Sequence, residues 1–419
     1  MKTQGYLGID IGTQGLSVIF TDAKLKILAT GEAGYDMVPG LGSECYEHEP
    51  VSWENALGSA MAALEEKLIV KNVEKEVLAI GISGQMHGEV LTDASGLPVS
   101  PARLWCDGRN EAEGDELTVL LQAKCPKRMT AVRWLWTIRH RPELAAQTAH
   151  LTTPAGWLAF RLTGEWTLGI GDAAGIFPIN QASLDYDAAM LAKFDAAATQ
   201  AAAKSLPGKT LPVLAQLLPA VRRAGQDGGK LNARGAALLG LSPGLPVAPA
   251  EGDQPAALAG SLIAAPGQVS MNFGTSVVAN SVGDRAFQGI SRAIDHFCAP
   301  DGRPINMVLL RNGTTAMNMV VKMFGGDFAA IMPEVLAAED NCGGLLALPF
   351  CDDEPGLGIS RGGTAMLFGL NETAGTPGNA VKAMLLATIF NLKLGSEELD
   401  RQGYPRTEII LSGGLVKTP

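Results

Sequence analysis

A glycine-rich turn between two apolar runs opens the chain. The stretch GIDIGTQGLSV (residues 8–18) has further apolar residues on both sides, so it predicts two buried strands that meet at a Gly-Thr-Gln-Gly tip. Such a tip offers free backbone N–H groups, the hydroxyl of Thr13 and the carboxylate of Asp10. A similar arrangement recurs in SMNFGTSVVANS (residues 270–281). Two such hairpins, one opening each half, predict a duplicated domain with a cleft between the copies.

The length of 419 residues exceeds what one hydrophobic core usually supports and therefore predicts two domains. The composition changes towards Pro and Gly at residues 240–260. We place the boundary near residue 245, which gives an N-terminal domain of residues 1–245 and a C-terminal domain of residues 246–419.

Helical and strand patterns alternate through most of the chain. Residues 51–68 predict a helix behind a Ser52 cap, residues 77–83 predict a strand, and the Ala-rich stretch 188–204 predicts a surface helix. The apolar face of the first helix consists of Trp53, Leu57, Met61, Leu64 and Leu68. The alternation predicts an α/β fold.

The formal net charge of −10 argues against nucleic acid and anionic membranes as partners, because both require a basic surface. It does not exclude a nucleotide, since backbone amides and a metal ion can supply the positive field for phosphates. No apolar run reaches the length of a membrane span, and the first residues lack the pattern of a signal peptide. We therefore expect a cytoplasmic protein whose six cysteines are reduced.

Asp253 lies in APAEGDQPAAL (residues 248–258), after an apolar strand and before a helix of small residues. An aspartate in this place can simply cap the helix. It can also accept the proton of a hydroxyl that attacks phosphorus. The position of Asp253 just ahead of the second Gly-Thr tip favours the second interpretation.

The segment GISGQMHGEV (residues 81–90) ends a predicted strand with polar groups between two glycines. His87 can be an ordinary hydrogen-bonded histidine. Together with Gln85 and Met86, however, it forms a set of donors, an acceptor and an apolar wall that suits a polyol. Downstream, Asp107 and Arg109 in LWCDGRN are either a structural ion pair or further contacts to sugar hydroxyls.

Taken in order, these segments resemble the FGGY family of carbohydrate kinases, and the xylulokinases within it in particular. The resemblance covers essentially the whole chain and implies two actin-like (ribonuclease H-like) domains related by duplication. It also implies that the sugar lies in the cleft and that MgATP is held between loops from both halves. The segments that carry the resemblance are GIDIGTQGLSV, ISGQMHG, LWCDGRN, TPAGWLAFRLTGEW, GDQPAALAG, NFGTS, LLALPF…RGGTAMLFGL and LSGG.

The resemblance assigns a role to each matching position. Asp253 is implied to be the general base, and Asp10 is implied to hold magnesium through water. Met86, His87 and Gln254 are implied to bind the sugar, and the segment motifs described above add Gln85 and Asp107 as candidate sugar contacts. The implied nucleotide contacts are Gly12 and Thr13 in the first phosphate loop, Gly274, Thr275 and Ser276 in the second, Gly313, and Gly413 with Gly414 against the adenosine.

The implied reaction is direct in-line transfer of phosphate from ATP to a ketopentose, with D-xylulose converted into D-xylulose 5-phosphate. Met86-His87 is similar to xylulokinases, whereas an Arg-Glu pair is expected in a glycerol kinase. Gln254 stands where xylulokinases often have Asn, and residues 348–363 lack their usual Glu-Arg-Thr-Pro run. A kinase for another ketose or polyol, and a catalytically idle sugar sensor, therefore stay open as alternatives.

Two further expectations follow from the family. Its members are commonly homodimers, so a homodimer is open to this chain, although the sequence does not determine the oligomeric state. They also continue past the Gly-Gly turn with helices that complete the second domain, whereas this sequence stops at Pro419. A protein that ended there is expected to lose ATP affinity and stability.

Overall fold

The computed structural model describes residues 2–263 and 265–413. Internal contacts divide the chain into two compact units. The first comprises Met1–Gly260 and Phe297–Arg303, and the second comprises Ser261–His296 and Pro304–Pro419. The division after residue 260, rather than at the composition change near 245, has a physical reason: the strand Glu251–Gly252 pairs in parallel with a strand of the first unit.

The first unit mixes strands and helices. Its strands are β1 (Thr3–Ile11), β2 (Gly15–Asp22), β3 (Ile27–Gly34), β4 (Glu47–His48), β5 (Lys75–Gly84), β6 (Val90–Thr92), β7 (Ala102–Arg103), β8 (His150–Thr152), β9 (Thr167–Gly169), β10 (Ile179–Asn180), β11 (Asp185–Tyr186), β12 (Ala220–Arg222) and β13 (Glu251–Gly252). Its helices are α1 (Pro50–Val70), α2 (Glu111–Leu121), α3 (Thr130–His140), α4 (Pro142–Ala145), α5 (Pro154–Thr163), α6 (Ile170–Ile176), α7 (Ala188–Ser205), α8 (Leu214–Leu217), α9 (Ala233–Leu239) and α10 (Asp253–Gly260).

The predicted first hairpin forms the centre of a five-stranded sheet with the order β13-β5-β1-β2-β3. β1 and β2 pair antiparallel up to Ile11 and Leu16, so the tip lies where the glycine-rich turn predicts it. β5 pairs in parallel with β1 on the other side. Alternate residues of β1 and β2 are buried in the core of this unit. The prediction of a buried hairpin is confirmed.

Helix α1 buries the predicted apolar face, but its N-cap is not the predicted residue. Trp53, Leu57, Met61, Leu64 and Leu68 are all buried. The helix begins at Pro50 and its N-cap is Glu49, so the Ser52 cap is wrong. Proline suits the first helical position because its fixed φ fits the helix and its missing N–H is not needed there. The Ser52 hydroxyl instead donates to the carbonyl oxygen of Glu49 at 2.7 Å.

The second unit has its own elements. Its strands are β14 (Gln268–Phe273), β15 (Val277–Val282), β16 (Ile294–Cys298, whose last two residues group with the first unit), β17 (Pro304–Leu310), β18 (Leu346–Leu348), β19 (Met366–Phe368) and β20 (Glu408–Gly413). Its helices are α11 (Thr314–Met323), α12 (Phe328–Ala337), α13 (Pro377–Gly395) and α14 (Glu397–Arg401), with 3₁₀ turns at Cys342–Gly344 and Pro355–Leu357. Within residues 2–263 and 265–413, every helix is too short or too polar to cross a membrane.

Four strands in the sheet of the second unit repeat the connectivity of four strands in the first. β14 and β15 form an antiparallel hairpin that ends at Phe273 and Val277. β17 adds antiparallel to β15, as β3 does to β2, and β20 adds in parallel to β14, as β5 does to β1. The predicted α/β class and the predicted duplication are confirmed by this repeated topology.

A glycine in β3 sets the distance between the first sheet and α1. A methyl group at Gly31 would overlap the carbonyl oxygen of Ala60, whereas one at Gly81 in β5 would meet nothing within 4 Å. We expect Gly31→Ala to lower the free energy of unfolding by about 1–3 kcal/mol, because the helix must move away from the sheet. Gly81→Ala is the matched control, and it should change this energy by less than about 1 kcal/mol. Urea unfolding of both variants measures the difference, and equal stabilities would contradict the packing.

Candidate active site

Asp10 lies near the end of β1, just before the Gly-Thr-Gln-Gly turn of residues 12–15, which we call the first tip. The strand registers place it opposite Ser17 on β2 and Ser83 on β5. The Ser83 hydroxyl donates to Asp10 Oδ1 at 2.6 Å. The predicted magnesium-holding carboxylate is therefore oriented by a hydroxyl on the neighbouring strand and remains partly exposed.

Three side chains from other segments donate hydrogen bonds to the first tip, to the Gly12 carbonyl and to the Thr13 hydroxyl. The Tyr35 hydroxyl donates to the Gly12 carbonyl at 2.6 Å, and Gln85 Nε2 donates to the same carbonyl at 3.1 Å. Trp105 Nε1 donates to Thr13 Oγ1 at 3.0 Å. Within residues 2–263 and 265–413, no group accepts a hydrogen bond from the backbone N–H of Thr13 or of Gln14. A tip with fixed carbonyls and available amides can bind phosphate oxygens.

The sequence predicts a contact of Gln85 with the sugar, but the side-chain amide of Gln85 lies against the first tip. Besides Nε2, its Oε1 lies 3.4 Å from the Thr13 hydroxyl, which donates to it. The side chain is almost fully buried at 2% exposure. A contact of Gln85 with the sugar stays a prediction. In the structure the Gln85 side chain stabilises the first tip through its hydrogen bonds to Gly12 and Thr13.

Asp253 is the first residue of α10, directly after β13. Its Oδ1 accepts the N–H of the adjacent Gln254 at 2.8 Å, which is not the contact of a usual helix cap to the next turn. Burial, opposed by that hydrogen bond and assisted by the charge of Asp10, raises the pKa of Asp253 to about 6. A carboxylate with this pKa is ionised at neutral pH and accepts a proton more readily than an ordinary aspartate.

Met86 and His87 are buried in the sugar segment, which we define as residues 85–88. His87 Nδ1 lies 3.0 Å from the carbonyl oxygen of Gly175, and a carbonyl can only accept, so Nδ1 carries a proton. Met86 lies against Gly252, where a methyl group would overlap its side chain. The sugar segment therefore packs directly against the residue that precedes Asp253.

Glu251 is a site residue that the sequence analysis missed. Its carboxylate accepts the amides of Gly171 at 3.4 Å and Asp172 at 3.1 Å, and so it caps α6 from another strand. A methyl group at Gly169 or Gly171 would overlap this carboxylate. Because the α6 carbonyl of Gly175 accepts from His87, the cap connects β13 to the sugar segment. The only local signal was the pair of glycines in LGIGD.

Asp172 is a second buried carboxylate beside this cap. Its Oδ2 accepts the Thr153 hydroxyl at 2.6 Å, while Oδ1 has no partner among the described residues. Burial raises the pKa of Asp172 to about 8, and the charge of Asp253 contributes to the rise. Burial and the charge of Asp172 likewise raise the pKa of Glu251 to about 8, against the hydrogen bonds it accepts. Both groups are therefore harder to ionise than ordinary carboxylic acids.

Asp107 is fully buried and its carboxylate already has partners. It accepts the N–H of Tyr46 at 3.0 Å and Nη2 of Arg109 at 2.6 Å, and Arg109 also pairs with Glu47 at 2.5 Å. Burial alone would raise the pKa of Asp107, but the hydrogen bonds from Arg109 and Tyr46 outweigh it and hold the pKa below its ordinary value. The structure thus has the ion pair that the sequence left open, and a sugar contact of Asp107 stays a prediction.

The second tip comprises Gly274, Thr275 and Ser276, between β14 and β15. The Gly313 amide donates to the Thr275 carbonyl at 3.0 Å, and the Thr314 amide donates to the Gly274 carbonyl at 2.9 Å. A methyl group at Gly313 would lie 2.6 Å from both carbonyl oxygens, so only glycine fits there. Gly313 therefore lies directly against the second tip, and its contact with the nucleotide stays a prediction.

Gly413 ends β20 with a positive φ of 97°. A methyl group there would overlap the carbonyl oxygen of Phe273, the last residue of β14. Close approach of the two backbones therefore requires glycine at this position. Gly414, the other glycine predicted to contact adenosine, lies outside the described residues.

Similarity to known proteins decides the family. The N-terminal domain pattern of the FGGY family of carbohydrate kinases matches residues 5–260. A xylulose kinase of Streptomyces coelicolor is 30% identical over 423 residues, which cover 97% of this chain and 79% of that protein. The chain belongs to the FGGY family of carbohydrate kinases.

Solved structures agree with this assignment. A xylulose kinase from Rhodospirillum rubrum gives a TM-score of 0.85 at 20% identity and covers 99% of this chain and 82% of that chain. A gluconate kinase from Lactobacillus acidophilus gives 0.83 at 16% identity, covering 100% and 82%. At such identities the likeness establishes the actin-like fold alone. As a member of the FGGY family, the chain is an ATP-dependent sugar kinase.

The buried carboxyl group of Glu251 should make the free energy of unfolding depend on pH. Its ordinary pKa is 4.5 and its folded pKa is about 8, so between these values the folded chain keeps a proton that the unfolded chain loses. Stability should therefore fall as pH rises from 4.5 to 8, by at most about 1.4 kcal/mol per pH unit for this group. We expect Glu251→Gln to weaken that fall, as measured by urea unfolding at pH 5, 6.5 and 8.

The exposed Glu66 on α1 supplies the control. Glu66→Gln should keep the pH dependence of the wild type. A Glu251→Gln variant that loses stability with pH as steeply as the wild type would show that Glu251 is ionised in the folded chain.

Proposed function

We propose that this chain transfers the γ-phosphate of ATP to a ketopentose and converts D-xylulose into D-xylulose 5-phosphate. The similarity to a xylulose kinase over almost the whole chain supports this substrate class. The buried Met86-His87 pair supports it as well. A buried imidazole that is oriented by a backbone carbonyl, beside an adaptable thioether, suits a ligand that carries several hydroxyl groups.

The observation that carries the mechanism is the position and pKa of Asp253. The carboxylate lies at a strand-to-helix turn, next to the residue against which Met86 packs, and its pKa is raised to about 6. We propose that Asp253 accepts the proton of the terminal sugar hydroxyl as its oxygen attacks the γ-phosphorus. The bond from that phosphorus to the ADP oxygen breaks as the new P–O bond forms.

The first tip is the proposed site of the ATP phosphates and magnesium. Amides of Thr13 and Gln14 are available to phosphate oxygens. Asp10 fits a magnesium ion, because this metal prefers oxygen ligands and usually keeps waters beside one or two carboxylates and the substrate phosphates. When bound, the metal would neutralise charge on the transferring phosphoryl group. Asp10 would hold it through water.

We propose the second tip, with Gly313 and Gly413, as a further contact of the nucleotide. Its support is the close backbone packing that only glycine allows at both positions. The cleft between the two domains, the homodimer and the cytoplasmic location stay predictions.

A kinase for another ketose or for a polyol is the second candidate. Gln254 favours it, because this residue follows the proposed base and differs from the Asn that is common in xylulokinases. A longer amide side chain beside Asp253 would shorten the space for the end of the sugar. The mechanism and its residues would be the same for such a substrate.

Replacement of the proposed base tests this account. We expect Asp253→Asn to lower kcat about 10²–10⁴-fold on D-xylulose, because the amide cannot accept the proton. ADP release is measured with MgATP and a panel of D-xylulose, D-ribulose, L-ribulose, xylitol, glycerol and D-gluconate. The wild-type kcat/KM should fall below about pH 6, where Asp253 becomes protonated, and the variant should lack that dependence.

The exposed Asp115 on α2 provides a control, and Asp115→Asn should keep wild-type activity. Turnover of a different sugar would keep the mechanism and correct the substrate. Turnover that survives Asp253→Asn would exclude Asp253 as the base. Binding of a sugar without turnover of any would favour the sugar sensor.

A further inference from the structure

Arg133 is a fully buried cation in the first turn of α3. Its guanidinium donates to four backbone carbonyls. Nη1 lies 2.8 Å from the oxygen of Arg128 and 3.3 Å from that of His87. Nη2 lies 2.9 Å from the oxygen of Trp105 and 3.3 Å from that of Asp107. One side chain therefore joins the sugar segment to the loop that contains Trp105.

The environment of Arg133 is costly for a cation. Every acceptor that the described residues offer to its guanidinium is a neutral carbonyl, and Nε has no partner among them. Burial and the charge of Arg103 lower the pKa of Arg133 to about 9, while the charges of Asp107 and Glu89 oppose that shift. Packing alone would be served better by an apolar side chain, since a buried charge loses its hydration. We therefore look for the role of this cation in the segments that its hydrogen bonds join rather than in packing.

The segments that Arg133 holds are those of the site. His87 has a φ of 67°, a left-handed conformation that an ordinary side chain adopts only when its surroundings hold it. Arg133 donates a hydrogen bond to the backbone carbonyl of His87, and the imidazole of His87 donates one to the carbonyl of Gly175. The indole of Trp105, whose carbonyl Arg133 also binds, donates to Thr13 in the first tip.

The neighbouring Arg103 on β7 is a useful contrast. It pairs with the buried carboxylate of Glu89 at 2.8 Å, and its Nη2 donates to the Arg133 carbonyl at 2.6 Å and to Thr137 Oγ1 at 2.8 Å. The Glu89 carboxylate neutralises its charge, and the other two contacts join it to α3. Its described contacts include neither the sugar segment nor the first tip. Arg133 and Arg103 therefore have different tasks although both are buried.

We propose that Arg133 is a positioning residue for sugar binding, because it fixes the backbone of His87 and Trp105 in the arrangement that receives the sugar beside the first tip. This inference rests on the proposed function, since it concerns the sugar that His87 binds. Arg133 touches neither the sugar nor ATP. Its loss should therefore weaken sugar binding more than ATP binding.

The test compares Arg133→Lys with Arg133→Met and with Arg139→Gln. Lysine keeps the charge but cannot reach all four carbonyls, methionine removes the charge, and Arg139 is a partly exposed ion-pairing residue of the same helix. We expect Arg133→Lys to raise KM for the best sugar of the panel at least tenfold, with KM for ATP changed less than twofold. Arg133→Met should raise the sugar KM further if it folds, and Arg139→Gln should change neither constant.

Hydrogen exchange supplies a readout that needs no substrate. In Arg133→Lys, amides of residues 84–90 should exchange at least tenfold faster than in the wild type, while those of residues 268–282 should keep their rates. A chain that phosphorylates no sugar would overturn the proposed function, yet this exchange would still test Arg133. Equal rises in both KM values, an unchanged sugar KM, or unchanged exchange at residues 84–90 would overturn the inference.

Discussion

The parallel pairing of β1 with β5 is the interaction on which the site depends. Its register places Asp10 opposite Ser83 and Ile11 opposite Gly84. The amide of Gln85 then donates to the Ile11 carbonyl at 2.8 Å, which continues the pairing past the end of β5. Because of this register, the chain leaves β5 directly beside the first tip. The proposed phosphate site and the proposed sugar segment are therefore built on two adjacent strands of one sheet.

Buried carboxylates in and beside that sheet illustrate how stability and function conflict. Glu251 caps α6 and, through it, supports the carbonyl that binds His87. The same burial raises the pKa of Glu251 and of Asp172 to about 8 and that of Asp253 to about 6. Such an arrangement lowers stability at neutral pH, since each group is held in an environment that disfavours its charge. It also gives Asp253 the basicity that proton transfer needs.

Local patterns in the sequence predict the elements that carry the site, because each depends on neighbouring residues. Both glycine-rich tips and the strand-to-helix turn at Asp253 are of this kind. The predicted Ser52 cap is wrong since proline in the first turn moves the helix start. The side chains that hold the site in place could not be predicted. Glu251 accepts hydrogen bonds from α6, and Arg133 donates to the sugar segment, in both cases between residues that are far apart in the sequence. A single sequence shows that Glu251 and Arg133 are present, but it does not show with which distant residues they form hydrogen bonds.

The most direct test of the central claim is a crystal structure of the Asp253→Asn variant with D-xylulose bound. The account predicts that the side chain at position 253 lies about 3 Å from the terminal hydroxyl of the sugar, the distance of a hydrogen bond. It also predicts that His87 and Met86 contact the same sugar molecule. A sugar whose terminal hydroxyl lies away from position 253, or one bound outside the sugar segment, would contradict the proposed base and the proposed site together.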